Sequence, residues 1–188
     1  MKSIDIICLG RAAVDFYGQQ IGSSLENMGS FAKYLGGSSA NIAYGCSKLG
    51  LNSAMLTRVG NEHMGRFVRN ELESVGVDTS HVLTDKERLT GLVVLGIQDK
   101  ETFPLIFYRK DCADMAISEK DFSKEFIASS RSLLITGTHF SSENTYQTSM
   151  KAIEYAKASD TQVIVDIDYR PVLWGLTELG DGESNSVR

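Results

Sequence analysis

Short apolar segments, bounded by polar or glycine residues, recur along the chain. The first covers residues 4–10, and similar runs lie at residues 54–56, 133–135 and 163–165. An apolar run of this length, without polar alternation, is typical of a strand that is buried on both faces of a parallel sheet. The pattern therefore predicts a central sheet whose strands come from widely separated parts of the chain.

Amphipathic helices are predicted between these strands. The clearest one has Asn61 as its predicted N-cap and ends at Gly76. Its apolar positions, spaced three to four residues apart, are Met64, Phe67, Val68, Leu72 and Val75. A second helix is predicted to end at Gly50, and a third to start near Asn144. This alternation predicts an α/β fold, in which helices flank a mostly parallel sheet.

Two regions depart from the alternation, since residues of about 12–35 and about 89–110 contain strand-like segments without an intervening helix. In the second region, residues 92–97 and 103–108 flank the polar turn 98–101, which is typical of a hairpin. We predict that both regions form hairpins of a small antiparallel layer beside or over the main sheet. The exposed edge of such a layer favours pairing with a second copy of the chain.

Composition and charge restrict the possible functions. The chain has 188 residues, of which 42% are apolar and 23% charged, and a formal net charge of −5, as expected for a folded domain. The pI near 5.2 and the lack of a basic block argue against a surface for nucleic acid or anionic membranes. No apolar run approaches the roughly 18 residues that span a bilayer, and an acidic residue follows the N-terminus closely. We therefore expect a cytoplasmic protein.

Residues that commonly bind transition metals are few and scattered. They are Cys8, Cys46, Cys112, His63, His81 and His139. Neither paired cysteines nor two histidines on one helix face occur among them, so we expect no metal ligands. The thiols are expected to be reduced and mostly buried.

A double glycine, Gly36 and Gly37, leads directly into a predicted helix. One interpretation is a glycine turn, with Ser38 or Ser39 as the N-cap. The other is that the missing side chains let a ligand approach the backbone, where N–H groups of the first turn and Asn41 would bind it. Ordinary dinucleotide and P-loop sites are not supported, because the sequence has neither G-x-G-x-x-G nor G-x-x-x-x-G-K-[ST].

An ordered series of motifs lies at residues 9–15, 36–43, 48–50, 59–65, 76–78, 107–114 and 166–174. In this order the motifs resemble the opening of the ribokinase, or phosphofructokinase-B, family of carbohydrate kinases, and the later ones are similar to its sugar-acid branch. The resemblance covers residues 4–182 and is carried by the order of the motifs rather than by any one of them. It implies a ribokinase-like, Rossmann-type sheet with a small antiparallel β lid.

The resemblance implies that Asp15 and Asn41 hydrogen-bond sugar hydroxyls, and that Gly36 and Gly37 form a close backbone approach and the hinge of the lid. Asp15 also follows a buried strand, at the edge where α/β sheets bind ligands. Two alternatives remain open from the residues alone. Asp15 would then cap a nearby turn, and Asn41 would face solvent.

The resemblance also implies that Arg109 and Arg170 bind the carboxylate of a sugar acid, since a guanidinium can hold it through two parallel hydrogen bonds. Phe107 would line the same pocket, at a position where relatives carry Tyr. Lys33 would add positive potential nearby. The alternative for each arginine is an ordinary ion pair: Arg109 with Asp111, and Arg170 with Asp166 or Asp168.

Two motifs of the family have no counterpart in the sequence: Gly-Ala-Gly-Asp, which cradles the transferred phosphate, and Asn-x-x-Glu, which organises the metal. Residues 180–183 are only superficially similar to the first and are expected to form a loop. We therefore expect residues 1–188 to be the N-terminal part of one ribokinase-like domain, without the nucleotide-binding part, and with the catalytic aspartate beyond Arg188. ATP and Mg²⁺ are implied for the complete enzyme, and neither is expected to bind this chain tightly.

The implied activity is transfer of the ATP γ-phosphoryl group to a hydroxyl of a keto-deoxy sugar acid, foremost 5-dehydro-2-deoxy-D-gluconate of myo-inositol breakdown. The chain alone is expected to be inactive. Alternatives within the enzyme class are 2-keto-3-deoxygluconate kinase and fructokinase. Outside that class, the alternative is a non-catalytic fragment that binds a sugar acid or dimerises. The expected partners are the sugar acid and a second copy bound through the lid, with no nucleic acid and no membrane.

Overall fold

The computed structural model describes residues 2–178, so the loop expected at residues 180–183 lies outside the described residues. The strands are β1 (Ile4–Leu9), β2 (Ala13–Gly18), β3 (Phe31–Gly36), β4 (Ser53–Gly60), β5 (Val82–Asp85), β6 (Gly91–Leu95), β7 (Leu105–Tyr108), β8 (Ser130–Thr136) and β9 (Gln162–Asp166). The helices are α1 (Ser38–Lys48), α2 (His63–Ser74), α3 (Lys124–Ala128) and α4 (Glu143–Lys157).

The main sheet has five strands in the order β5-β4-β1-β8-β9, and every neighbouring pair is parallel. Ile7 at the centre of β1 lies opposite Ala54 of β4 on one side and Leu133 of β8 on the other. The predicted α/β fold with a mostly parallel sheet is therefore confirmed.

Side chains of β1 alternate between two hydrophobic clusters, one on each face of the main sheet. Ile6 and Cys8 belong to the cluster that α1 and α2 cover, and Ile7 and Leu9 to the cluster that α3 and α4 cover. A strand with both faces buried has no need for polar alternation, which explains the continuous apolar run in the sequence. The packing also fixes the position of the carboxyl end of β1.

Two helix starts, those of α1 and α2, differ from the predictions. Helix α2 is capped by Glu62 rather than Asn61, and its carboxylate accepts hydrogen bonds from the backbone N–H groups of Met64 and Gly65. The predicted start near Asn144 is confirmed, since α4 begins at Glu143 after Ser142, whose hydroxyl accepts from Thr145 N. Asn144 donates to the carbonyl oxygens of Met115 and Ile117, both at 2.8 Å, and so joins α4 to the preceding loop.

The first helix is not capped by a serine side chain either. Gly37 is the N-cap residue of α1, and its φ of 92° lies in the region that favours glycine. The hydroxyl of Ser38 donates to Thr136 Oγ1 at 3.0 Å, and that of Ser39 donates to the carbonyl of Leu9 at 3.0 Å. These serines thus fasten the start of α1 to the carboxyl ends of β1 and β8.

The second sheet has four strands in the order β3-β2-β6-β7, and we call it the lid sheet. The two predicted hairpins are present as the antiparallel pairs β2–β3 and β6–β7. The prediction of a wholly antiparallel layer is wrong, however, because β2 and β6 are parallel. Since β2 and β6 follow strands that end at the same edge of the parallel main sheet, both segments enter the lid sheet in the same direction.

Glu62 links the two sheets. Besides capping α2, its Oε1 accepts hydrogen bonds from the hydroxyl of Thr90 and, at 3.2 Å, from the backbone N–H of Thr90. Thr90 directly precedes β6 of the lid sheet, and its hydroxyl accepts from Gly60 N at the end of β4. One carboxylate therefore fixes the point at which the chain passes from the main sheet into the lid sheet.

The cysteines are free, with Cys8 and Cys112 buried and Cys46 half-buried, as predicted for structural thiols. Among residues 2–178, no helix combines the length and apolar character needed to cross a membrane.

Candidate functional site

A pocket of about 260 Å³ opens where the carboxyl end of β1 meets the lid sheet. It is lined by residues from β2, β6 and β7, from the start of α1, and from the loops that follow β1 and β9. They are Arg11, Asp15, Tyr17, Gly37, Ser38, Asn41, Val93, Leu95, Leu105, Phe107 and Arg170. Five of the seven predicted site residues, Asp15, Gly37, Asn41, Phe107 and Arg170, therefore lie on one wall or another of this pocket.

Gly36 and Gly37 lie against other parts of the chain at the N-terminus of α1. A Cβ at Gly36 would overlap the carboxylate of Asp15, and one at Gly37 would overlap the carbonyl of Arg11. Asn41 follows in the first turn of α1, with its backbone N–H donating to Gly37 O at 2.9 Å. The glycines thus form the predicted turn, although neither Ser38 nor Ser39 caps α1 with its side chain. The groups that approach this turn closely are the chain's own Asp15 and Arg11, and the binding of a ligand against this backbone stays a prediction.

Asp15 is a residue of strand β2 rather than of a loop, so the turn-capping alternative is wrong. Its half-buried carboxylate makes no hydrogen bond to another group of residues 2–178. Burial raises the pKa of Asp15 to about 6, against the opposing effects of Arg11 and Arg170. The group is therefore ionised at neutral pH and can accept hydrogen bonds from a ligand. Asn41 is exposed beside it, within reach of the same pocket.

Arg170 lies on the pocket wall and also forms an ion pair. Its Nε is 3.2 Å from Oδ1 of Asp168, which was one of the two partners considered from the sequence. The other oxygen of Asp168 accepts from Thr138 Oγ1 at 3.0 Å. The carboxylate of Asp168 is thus fixed at the end of the main sheet by Thr138, and its ion pair with Arg170 restricts the position of that side chain.

Arg109 is not brought to the pocket wall. Its Nε lies 2.8 Å from Oδ2 of Asp114, and both side chains are almost fully buried. The alternative partner considered from the sequence, Asp111, pairs with Arg88 instead. The fully buried His139 lies near this pair, and burial, followed by the charge of Arg109, lowers its pKa to about 3. In this structure Arg109 therefore occupies a buried layer behind the pocket.

Arg11 is the pocket residue that sequence reasoning missed. It follows Gly10 at the carboxyl end of β1, is only 6% exposed, and stacks its guanidinium 5.4 Å from the centre of the Phe107 ring. The available signal was a charged residue placed directly after an apolar strand, at the edge where parallel sheets bind ligands. Lys33, in contrast, lies over the ring of Phe67 at 4.0 Å and does not line the pocket.

A second, wider cavity of about 600 Å³ adjoins the first and shares Asp15, Tyr17 and Asn41 with it. It runs along the exposed face of β2 and β3, where Tyr17 and Tyr34 pack edge to face at 5.4 Å. The polar groups of the first pocket thus lie at the inner end of a larger groove under the lid sheet.

The chain matches the model of the pfkB family of carbohydrate kinases over residues 3–180, and it belongs to that family. The resemblance seen in the sequence is therefore confirmed.

Individual relatives agree with this assignment. The chain is 36% identical over 178 residues to 5-dehydro-2-deoxygluconokinase of Halalkalibacterium halodurans, a match that covers 94% of the chain and 54% of that relative. A PfkB protein of Polaromonas sp. JS666 has a similar structure, with a TM-score of 0.86 and 28% identity over 92% of this chain and 58% of that one.

An uncharacterised sugar kinase, PH1459 of Pyrococcus horikoshii, solved in complex with ATP, matches with a TM-score of 0.83 and 25% identity over 90% of this chain and 55% of that one. The chain spans about half the length of the curated relatives that it matches.

Proposed function

We propose that this chain forms the sugar-acid-binding part of an ATP-dependent carbohydrate kinase whose substrate is 5-dehydro-2-deoxy-D-gluconate. The observation that carries the proposal is the pocket at the carboxyl end of β1, which has an ionised carboxylate, an amide and two guanidinium groups on its walls. A keto-deoxy sugar acid offers both hydroxyls and a carboxylate to such a set of groups. The name of the Halalkalibacterium halodurans relative supports this choice of substrate.

Each side chain has a role in binding that follows from its chemistry. Asp15 accepts hydrogen bonds from sugar hydroxyls, and Asn41 can both donate and accept. Arg170 faces the pocket while Asp168 holds it from behind, so it can bind the carboxylate in a fixed orientation. Phe107 covers the less polar face of the sugar.

The lid sheet gives these residues a way to exclude water. Asp15 and Phe107 lie on lid strands, whereas Asn41 and Arg170 lie on the main-sheet side. Closure about Gly36 and Gly37 would bring the two groups together around the substrate and keep water from competing with it for the phosphoryl group.

Residues 2–178 do not fit a site for the phosphoryl donor. They contain no group of three or more His, Cys, Asp or Glu side chains that could hold a metal ion. At the glycine turn before α1, the carboxylate of Asp15 and the carbonyl of Arg11 lie where side chains at positions 36 and 37 would be. We assign none of residues 2–178 to ATP or Mg²⁺.

We also propose a homodimer through the lid sheet in the cytoplasm. The large side chains of Tyr17, Phe31 and Tyr34 are exposed on the lid strands β2 and β3, and a second copy could cover them. Sedimentation of the purified protein at several concentrations would test this assembly.

The function is tested by assaying the complete protein that contains this chain with ATP and three acceptors: 5-dehydro-2-deoxy-D-gluconate, 2-keto-3-deoxy-D-gluconate and D-fructose. We expect the first to have the highest kcat/KM. We expect Arg170→Met to lower kcat/KM for it by about 100-fold, because a charge-assisted hydrogen bond is lost. Arg131→Met is the matched control, since Arg131 is 71% exposed and pairs with Asp5 away from the pocket.

Several outcomes would contradict the proposal. Preference for fructose would point to a neutral-sugar kinase, and preference for the 2-keto acid to the other acid kinase. If the complete protein binds the acid but never transfers phosphate, the non-catalytic alternative holds. The 188-residue chain alone is expected to bind the acid without turnover.

A further inference from the structure

The backbone of Arg11 is held rigidly at the edge of the pocket. Its carbonyl oxygen accepts a hydrogen bond from the N–H of Ala40, in the first turn of α1, at 3.2 Å. Gly37 packs directly against the same carbonyl, where any side chain would overlap it. The side chain of Arg11 therefore starts from a fixed point between the main sheet and the lid sheet.

The guanidinium of Arg11 is buried without a hydrogen-bond partner. Its Nε is fully enclosed and bonds to no other group of residues 2–178, and its Cζ lies over the ring of Phe107, 5.4 Å from the ring centre. Burial lowers the pKa of Arg11 and nearby Arg109 lowers it further, while the more distant carboxylates of Asp168, Asp114 and Asp15 oppose this effect. A buried cation with no hydrogen-bonded anion is unfavourable, and native structures rarely leave one so.

The other two arginines of this region are satisfied differently. Arg109 has its own carboxylate in Asp114 at 2.8 Å, and Arg170 has Asp168 at 3.2 Å. Arg11 has no such carboxylate within the described chain, although it lies on the pocket wall and Arg109 does not. The pocket thus contains a guanidinium that an anionic group of the ligand would complete.

We propose that Arg11, together with Arg170 on the same pocket wall, recognises the carboxylate of the substrate and determines the preference for a sugar acid over a neutral sugar. The inference rests on the proposed function, which makes the ligand a sugar acid. In this arrangement Arg109 stays paired with Asp114 behind the pocket, and Arg11 lines the pocket without a hydrogen-bonded carboxylate among residues 2–178.

A purely structural role for Arg11 is the competing explanation. Oδ1 of Asp114 is also buried without a partner, so a small movement could join the two groups inside the protein. The explanations differ in one measurable respect. A structural arginine affects every acceptor equally, whereas a carboxylate-binding arginine affects only acceptors that carry the negative charge.

The test compares 5-dehydro-2-deoxy-D-gluconate with its uncharged methyl ester as acceptors for the complete protein, in the wild type, Arg11→Met and Arg11→Lys. For Arg11→Met we expect kcat/KM to fall by about 100-fold with the acid and by less than about threefold with the ester. Arg11→Lys keeps the charge without the paired donors, so we expect a fall of about tenfold with the acid alone. Arg131→Met is again the control.

An equal loss with the acid and the ester would overturn the assignment while leaving the kinase function intact. If Arg11→Met does not fold, as judged by circular dichroism, the acid-to-ester ratio of Arg11→Lys decides in the same way. If the wild type phosphorylates neither compound, the proposed function fails, and calorimetric binding of D-gluconate decides separately for Arg11. Binding that Arg11→Met abolishes would support the assignment, and binding that it leaves unchanged, or no binding to the wild type, would overturn it.

Discussion

The main sheet and the lid sheet are built from strands of similar length, but they are covered very differently. In the main sheet β1, β4 and β8 are buried on both faces, with Ile7 and Leu133 completely enclosed. In the lid sheet β2 and β6 are only partly buried, and most of β3 and β7 is exposed or half-buried.

This difference in burial implies that the main sheet provides most of the stability and that the lid sheet is the easier of the two to move. Burial of apolar surface is the main favourable term in folding, so most of the free energy of unfolding belongs to the main sheet. The lid sheet contributes little to it and can therefore change its position at low cost. The pocket takes side chains from both sheets, so the proposed closure would move one set of binding residues against a fixed set.

The largest effect is expected in the main sheet. Ile7→Ala should lower the free energy of unfolding by about 2–5 kcal/mol, because it removes a fully buried side chain from the centre of β1 and leaves a cavity. Denaturant unfolding of the chain measures this value. A loss below about 1 kcal/mol would show that the main sheet is not the stable part.

Asp15→Asn, at the pocket between the two sheets, should raise stability and weaken ligand binding. Because burial raises the pKa of Asp15 from 3.8 to about 6, the folded state holds the proton more tightly than the unfolded state. The wild type therefore loses stability as the pH rises from about 4 to about 6, and a shift of about two pKa units corresponds to about 3 kcal/mol. The neutral variant should be more stable by up to that amount above pH 6.

The measurement is the difference in unfolding free energy between Asp15→Asn and the wild type from pH 4 to pH 8. His139 has a lowered pKa, so its contribution to stability rises with pH, opposite to that of Asp15. The contribution of His139 is the same in both proteins, and taking the difference between them removes it. The same variant should bind the sugar acid at least about tenfold more weakly, since an ionised acceptor is lost. A pH-independent difference would contradict the prediction.

Glu62→Gln tests the connection between the sheets. The carboxylate caps α2 and holds Thr90, so its loss should lower the free energy of unfolding by about 1–2 kcal/mol. Hydrogen exchange at the amide of Thr90 should become faster than in the control Glu71→Gln, which changes the same helix away from the junction. Unchanged exchange at Thr90 would mean that Glu62 acts only as a helix cap.

The smallest effect is expected in the lid sheet. Ile106→Ala removes the same side chain as Ile7→Ala, but from the half-buried strand β7, and should cost less than about 1.5 kcal/mol. The two variants form a matched pair in the same denaturant experiment. Equal losses would remove the distinction between the two sheets.

Local patterns in the sequence predicted the strands and helices better than they predicted which strands pair and which side chains meet. Continuous apolar runs identified β1, β4 and β8, because burial on both faces favours apolar side chains at every position of a strand. Such a run also identified β9, but the predicted burial on both faces is wrong there, since every residue of β9 is half-buried or exposed. No local pattern in the sequence indicates the parallel pairing of β2 with β6, because this pairing depends on where two distant segments leave the main sheet. Glu62 was missed as a cap for the same reason, because its position is fixed by Thr90, which is far away in sequence.

The site followed the same division. Asp15, Gly37, Asn41, Phe107 and Arg170 were indicated by motifs, and the structure brings them to one pocket. The burial of Arg109 against Asp114 and the position of Arg11 on the pocket wall could not be predicted, because which arginine is paired depends on the position of Asp114 in three dimensions. Resemblance to a motif predicts which residues lie at a site, but it does not predict which ion pairs and hydrogen bonds those residues form.

The parallel contact between β2 and β6 also bears on how the chain folds. Ala13 must find Gly91, and such distant pairings form slowly because a long loop has to close first. During synthesis the β2–β3 hairpin leaves the ribosome well before its neighbour β6, and an isolated hairpin is only marginally stable. The lid is therefore expected to be the last part to fold, and the open edge of β2 the part most exposed to wrong pairing while the chain is being made.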